Sequence, residues 1–149
     1  MPSNPLVGIW KLERYELRPV NEGESAYPLG EDATGRISYT EDGYMSVFLM
    51  AANRPPVPGR SADVDLKAAA YDTFIAYGGT YELRGDTVVH HVDFSSVPIW
   101  TGGEQERHVE FEDGRLVLTL PVTVAGVQKQ YRLVWSRQAA SHEAHSHSL

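Results

Sequence analysis

Hydrophobic and polar residues alternate with a period of two along most of this chain, and turn-forming residues interrupt the alternation at regular spacing. Side chains of a β-strand point alternately to its two faces, so this pattern is typical of an antiparallel sheet with one buried face. The predicted strands cover residues 7–17, 25–29, 35–40, 44–50, 80–84, 87–95, 104–112, 115–120 and 129–137. The chain is therefore predicted to be all-β, a single antiparallel β-barrel of about eight to ten strands.

One segment has helical spacing instead. Ser61 or Asp63 can cap a helix that runs to about Tyr77, with its apolar residues on one stripe. We expect this single short helix to pack on the barrel or to plug one end. Before it, the proline-rich residues 53–60 predict an extended surface loop, a candidate flap over a pocket mouth.

Tight turns fix which strand residues face each other, because a one-residue slip would move every side chain to the opposite face. Turns at Gly85, Gly114 and Gly126, with parity along the other strands, place a mainly aliphatic and aromatic surface inside the barrel, including Met45 and Phe94. The polar residues predicted to point into the lumen are Arg14, Tyr39, Tyr81, His90, Gln105, Arg107 and Tyr131. An apolar cavity with a few polar groups is the usual composition of a small-molecule site.

Composition narrows the classes of function. The 149 residues fit one domain, and the net charge of -7 comes from interspersed acidic and basic residues. A nucleic-acid surface would need clustered Lys and Arg, so no nucleic-acid partner is predicted. Without cysteine there is no disulfide, thiolate metal site or cysteine nucleophile. The domain is predicted to span residues 1–138, because the His-rich tail 139–149 lacks the apolar content to fold and is expected to be disordered.

The chain also lacks several recognisable signals. Its first residues have neither the basic start nor the apolar run of a signal peptide, and no later stretch approaches the ~18 apolar residues of a membrane span. We therefore expect a cytoplasmic protein with no membrane partner. No nucleophile elbow, phosphate-binding glycine loop or His-Glu-x-x-His helix is present, so hydrolases, kinases and zinc proteases are poor matches and no cofactor is predicted.

Candidate chemistry concentrates on His90 and Arg107. An unperturbed histidine titrates near pH ~6.5, so His90 is a candidate general acid or base; the alternative is a buried neutral histidine hydrogen-bonded to Tyr81. His91 points to the opposite face of the strand, so the pair cannot chelate one ion and no metal site is predicted. An inward Arg107 is costly to desolvate unless an anion, a carbonyl-rich ligand or a carboxylate such as Glu16 meets it, or unless it lies in water at the mouth.

Two more residues extend this candidate site. Arg14 beside Arg107 would make a cationic pocket suited to a carboxylate or a developing enolate. Trp100, in the loop 96–103, is a candidate lid that stacks on a flat ligand, with a simple anchor of the loop to the barrel rim as the alternative.

Short segments carry a family resemblance. Gly8-Ile9-Trp10 opens the first strand and Arg137 ends the last one. They resemble the lipocalin signature, in which the Trp closes the barrel floor and a C-terminal Arg packs over it. Segments 27–30 (YPLG), 39–46 (YTEDGYMS), 89–92 (VHHV) and 133–135 (LVW) resemble the lipocalin-like domain family of small bacterial and fungal proteins. The resemblance implies a calycin-type barrel with a ligand site in its lumen, and some lipocalin-like proteins are cofactor-free cyclases or isomerases.

Two functional hypotheses share this pocket. In the first, the barrel binds a small, mostly apolar molecule that bears a carbonyl or carboxylate. In the second, it is a cofactor-free isomerase, cyclase or lyase of specialised metabolism, in which His90 moves a proton and Arg107 stabilises enolate charge. A third hypothesis is an interaction module or homodimer with a lumen filled by side chains. The predicted site residues are His90, Arg107 and Tyr81 for catalysis, and Arg14, Tyr39, Met45, Phe94, Trp100, Gln105 and Tyr131 for ligand binding.

Overall fold

Residues 4–60 and 63–141, which the computed structural model describes, form a closed antiparallel β-barrel of eight strands. Each strand pairs with the next one in sequence, and the last strand closes the barrel against the first. The strands are β1 (Gly8–Pro19), β2 (Thr34–Tyr39), β3 (Tyr44–Met50), β4 (Phe74–Arg84), β5 (Thr87–Ser95), β6 (Glu104–Glu112), β7 (Arg115–Val124) and β8 (Val127–Arg137). Helix α1 (Val64–Asp72) joins β3 to β4, and a 3-10 turn (Pro98–Trp100) lies between β5 and β6. The predicted all-β barrel is confirmed.

The inner face of β6, β7 and β8 follows the predicted register. Leu118 on β7 lies opposite Val109 on β6 and Leu133 on β8, and all three are buried. In the two connecting turns, Asp113 and Ala125 have φ of 51° and 50°. Left-handed φ of this kind lets two-residue turns follow the twist of the flanking strands. Alternation therefore carries through all three strands without a slip.

Trp10 closes the end of the barrel at which β1 begins and β8 ends. Its side chain is fully buried, and its Nε1 donates to the carbonyl of Leu6 at 2.9 Å. The guanidinium of Arg137 lies 4.2 Å from the centre of the Trp10 ring and donates to the carbonyls of Val7 and Pro5. The floor that the resemblance implies is thus present. Helix α1 and the longer connections lie at the opposite end.

Helix α1 is shorter than predicted. Asp63 caps it, accepting a hydrogen bond from the amide of Leu66 at 3.0 Å, whereas Ser61 lies outside the described residues. The helix ends at Asp72, and residues 74–77 open β4 in register with β3. The prediction of a helix to Tyr77 was wrong because pairing with β3 satisfies this backbone, and tertiary pairing overrides local propensity.

The position of α1 also differs from one expectation. None of its residues is buried, so it does not plug the barrel. With nine residues it is far shorter than the ~20 that a membrane-spanning helix needs, and no other helix of the described chain is longer.

The strand bounds differ from the predicted ones at two places. The strand predicted at 25–29 is reduced to an isolated bridge between Leu17 and Ala26, so the barrel keeps eight strands. Strands β7 and β8 run further than predicted, to a hairpin that pairs Val124 with Val127. Most of the predicted tail, residues 142–149, lies outside the described residues, and the domain boundary at residue 138 stays a prediction.

Candidate ligand cavity

The lumen contains a cavity of about 410 Å³, within the usual size range of small-molecule pockets. All eight strands contribute to its wall, which is mostly aliphatic and aromatic. Its polar members are Tyr15, Tyr77, His90, Gln105, Arg107 and Tyr131. Trp100, from the 3-10 turn, also lines it. The barrel therefore offers an apolar space with a small set of polar groups.

His90 projects from β5 between two tyrosine hydroxyls. Its Nε2 is hydrogen-bonded to the hydroxyl of Tyr39, and its Nδ1 to the hydroxyl of Tyr77, each at 2.6 Å. Burial, with smaller contributions from the charges of Arg107 and His91, lowers the pKa of His90 to about 3. His90 is therefore neutral at physiological pH, and neither ring nitrogen is free for a substrate. The enzymatic hypothesis gains no support from this geometry and stays a prediction.

The two tyrosines that contact His90 are also held in their protonated form. Burial raises the pKa of Tyr77 to about 12 and the pKa of Tyr39 well above its usual value of 10. The charge of Arg107 offsets part of both pKa shifts because it favours the phenolate. Tyr77 lines the cavity, whereas Tyr39 is 2% exposed and lies outside the cavity wall. The hydrogen-bonded chain thus leads from the barrel interior to the cavity.

Arg107 brings a positive charge to this wall. Its guanidinium donates to the carbonyl of Glu106 at 2.8 Å and to Oε1 of Gln105 at 3.2 Å. Among the described residues, no carboxylate lies within ion-pair distance of it. Glu16, the partner considered from the sequence, points to the outer face and pairs with Arg14 at 3.3 Å. The charge of Arg107 therefore has no protein counter-charge there.

Arg14 itself does not face the lumen, so that prediction was wrong. Leu12 and Arg14 pair with adjacent residues of β8, which leaves Glu13 as the extra residue of a β-bulge. A bulge shifts the alternation by one residue. The side chain of Arg14 is consequently 56% exposed, and Tyr15 occupies the inner wall. The expected cationic pair with Arg107 does not form.

Phe94 was also predicted to lie inside, and it is 76% exposed. The register between β4 and β5 slips at Gly79, which leaves Asp93 as the extra residue of a second bulge. A Cβ on Gly79 would lie 1.8 Å from the carbonyl oxygen of His91, so the close approach of the two strands needs a glycine. Beyond this bulge the alternation of β5 is inverted, and Phe94 points outward.

Two tyrosines of the wall, Tyr15 and Tyr77, were not among the residues predicted from the sequence. The helix prediction covers Tyr77, although its parity with Tyr81 along a strand would have placed it inside. Tyr15 follows the bulge at Glu13, and parity from Trp10 places it outside. Nothing in the local sequence marks that bulge.

Three further predicted residues, Tyr39, Met45 and Tyr81, are buried in the barrel but do not line the cavity. The hydroxyl of Tyr81 donates to the carbonyl of Thr40 at 2.6 Å and accepts from Nδ2 of Asn4 at 3.0 Å. Tyr81 therefore links Thr40 and Asn4 at the floor of the barrel, and it is not hydrogen-bonded to His90. Of the predicted site residues, the cavity brings together His90, Trp100, Gln105, Arg107 and Tyr131.

The two tryptophans of the wall differ in their contacts. Trp100 packs edge-on against Tyr77, with ring centroids 6.0 Å apart, so it anchors the 3-10 turn while lining the cavity. Trp135 is fully buried on β8. Its Nε1 has no hydrogen-bond partner, and among residues 4–60 and 63–141 no other buried side-chain nitrogen or oxygen lacks one.

His91 points away from the lumen, as expected. Its Nε2 lies 2.7 Å from Glu82 and its Nδ1 3.4 Å from Glu104, both on the outer surface. The two adjacent histidines therefore occupy opposite faces. In the part of the chain that the structure describes, no three His, Asp or Glu side chains are close enough to hold a metal ion.

The family comparison agrees with this architecture. The sequence pattern of the lipocalin-like domain matches residues 7–138. This chain belongs to that family. The lipocalin-like barrel is 29% identical over 107 residues to the 4'-hydroxy-3'-methoxypropiophenone carrier protein ppsC of Aspergillus oryzae, and the match covers 62% of this chain and 96% of that protein. A crystal structure of an uncharacterized protein from Bacteroides eggerthii is 15% identical with a TM-score of 0.40, covering 85% of this chain and 98% of the other.

Proposed function

We propose that this lipocalin-like protein carries a small, mostly apolar molecule that presents a carbonyl or carboxylate oxygen to Arg107. The supporting observation is a contrast within the cavity: a guanidinium without a protein counter-charge lies on a wall that is mainly aliphatic and aromatic. A partly desolvated cation favours a ligand oxygen that carries negative or partial negative charge. The apolar wall favours a hydrophobic body for the same molecule.

An aryl ketone is the ligand class that we favour. The relative ppsC is named as a carrier of 4'-hydroxy-3'-methoxypropiophenone, in which a ketone is attached to an aromatic ring. Its ketone oxygen would accept from Arg107, and Trp100 and the wall tyrosines would pack against the ring. A cavity of about 410 Å³ is of suitable size for such a molecule.

The proposal is for carriage rather than turnover. Acid–base catalysis by His90 would need a free ring nitrogen, and both nitrogens of His90 are hydrogen-bonded to tyrosine hydroxyls. The homodimer and the cytoplasmic location expected from the sequence stay predictions.

The test is a titration with 4'-hydroxy-3'-methoxypropiophenone, followed by the fluorescence of the tryptophans, two of which line the cavity. Two analogues separate the contribution of the ligand oxygen from that of the apolar body. The first, 2-methoxy-4-propylphenol, lacks the ketone, and the second, 4-hydroxy-3-methoxybenzoate, carries a carboxylate. Arg107→Leu removes the guanidinium and keeps the wall apolar. Arg84→Leu, which changes an exposed arginine on the outer surface, is the matched control.

We expect wild type and Arg84→Leu to bind the ketone or the carboxylate more tightly than the ketone-free analogue. Arg107→Leu should lose about 1.5–3 kcal/mol for the oxygen-bearing ligands, the usual contribution of a hydrogen bond to a charged group. Its affinity for 2-methoxy-4-propylphenol should be unchanged. If Arg107→Leu binds every compound as tightly as wild type does, Arg107 does not anchor the ligand. If wild type binds none of the compounds, the carrier proposal is refuted.

A further inference from the structure

In the hydrogen-bonded chain Tyr39–His90–Tyr77, counting donors and acceptors shows which group donates to which. A neutral imidazole has one N–H donor and one acceptor nitrogen. Because His90 is hydrogen-bonded on both nitrogens, one tyrosine hydroxyl must donate to the ring and the other must accept from it. The burial of the two tyrosines decides which is which.

The hydroxyl of Tyr39 has fewer possible hydrogen-bond partners than that of Tyr77. Its side chain is 2% exposed, and among the described residues its hydroxyl contacts no hydrogen-bond partner besides Nε2 of His90. If Nε2 carried the proton, the buried O–H of Tyr39 would have no acceptor, and an unsatisfied buried donor is costly. Tyr39 therefore donates to Nε2, which places the proton of His90 on Nδ1.

Tyr77 is consequently left with a free donor. Its oxygen accepts the Nδ1–H of His90, and within the described chain its own O–H has no acceptor. Tyr77 lines the cavity, so its hydrogen can reach a ligand. The two preceding hydrogen bonds polarise this O–H in the same sense, which strengthens it as a donor.

We propose that Tyr77 donates a hydrogen bond to the ligand oxygen, and that Tyr39 and His90 are positioning residues that fix its direction. This inference rests on the proposed carrier function and adds a selection rule to it. With Arg107 on the same wall, both groups offer donors, so the site selects a ligand with an acceptor oxygen, such as a ketone, over one whose polar group must donate.

The first experiment needs no ligand. Nitrogen-15 NMR of wild-type protein distinguishes a protonated from an unprotonated ring nitrogen, and we expect the signals of His90 to show Nδ1 protonated and Nε2 unprotonated. The opposite tautomer would leave the buried O–H of Tyr39 without an acceptor, so the NMR signals test the direction of the hydrogen bonds independently of ligand binding. Protonation at Nε2 would overturn the inferred direction, even if the protein binds ketones as proposed.

The second experiment compares propiophenone, whose ketone can only accept a hydrogen bond, with 3-ethylindole, whose N–H can only donate one. We expect Tyr77→Phe to lose about tenfold in affinity for propiophenone and to keep its affinity for 3-ethylindole. Tyr44→Phe, at an exposed site on the outer surface, is the matched control and should bind both as wild type does.

Other outcomes of this titration have separate meanings. Loss of affinity for 3-ethylindole alone would show that Tyr77 accepts rather than donates, and loss for neither compound would show that Tyr77 does not contact the ligand oxygen. Failure of wild type to bind either compound would count against the carrier function, and the NMR result would still decide the direction of the chain.

Discussion

Burial of His90 in its neutral form makes the stability of the barrel depend on pH. The pKa of this imidazole falls from 6.5 in the unfolded chain to about 3 in the folded one. Between these values the unfolded chain binds a proton that the folded chain does not. The free energy of unfolding therefore decreases as the pH falls from about 6.5 towards 3.

The magnitude follows from the width of that window. One pH unit below the unfolded pKa costs about 1.36 kcal/mol for a single proton. At about pH 4.5, two units below 6.5, His90 accounts for a loss of about 2.7 kcal/mol relative to about pH 7.5. This is a large fraction of the ~5–15 kcal/mol that stabilises a typical domain.

The assay is urea unfolding at both pH values of wild type and of His90→Gln, which can still hydrogen-bond but does not titrate. We expect the variant to be less stable than wild type at about pH 7.5, and the gap to narrow by about 2.7 kcal/mol at about pH 4.5. Protonation of carboxylates affects both proteins equally and cancels. Val117→Ala, a buried change that involves no titrating group, is the control and should show no such narrowing. An unchanged gap for His90→Gln would refute the reasoning.

Two further predictions concern the floor and a bulge. Arg137→Lys keeps the charge but loses the flat contact with Trp10 and one of two carbonyl hydrogen bonds, so urea unfolding should show a loss of about 1–2 kcal/mol. A loss below about 0.5 kcal/mol would contradict the clamp over the floor. Gly79→Ala forces a Cβ against the carbonyl of His91 and should cost about 1–3 kcal/mol, whereas Gly59→Ala, which meets nothing within 4 Å, should change stability by less than about 0.5 kcal/mol. Equal losses of stability in Gly79→Ala and Gly59→Ala would show that crowding against the carbonyl of His91 does not cause the loss.

Alternation and turn residues determined most of the barrel. The bounds of β3, β5 and β6 agree with the sequence pattern, and Tyr81 lies opposite His90 across the turn at Gly85, as predicted. The inward position of Arg107 on the cavity wall follows from the turn between β6 and β7. These features are predictable because a hairpin is local: its turn residues set the register for both strands.

Bulges were decided by the tertiary structure. Arg14 and Phe94 face outward because each lies just beyond an unpaired residue on its strand. A bulge increases the local bend and twist that a sheet needs in order to close on itself. No residue type near Glu13 marks the first bulge, whereas Gly79 is a local sign of the second one. Parity counted along one strand reveals neither of them.

The hydrogen-bonded residues Tyr39, His90 and Tyr77 show most clearly which features depend on local sequence and which depend on the tertiary structure. The sequence determined that His90 lies inside the barrel, but it left the protonation state of the imidazole open. Its two partners lie 51 and 13 residues away, and one of them belongs to a segment with helical spacing. Contacts across the lumen depend on the diameter and closure of the barrel, and on β4 beginning at Phe74 to pair with β3. Those are properties of the whole sheet, which no local pattern encodes.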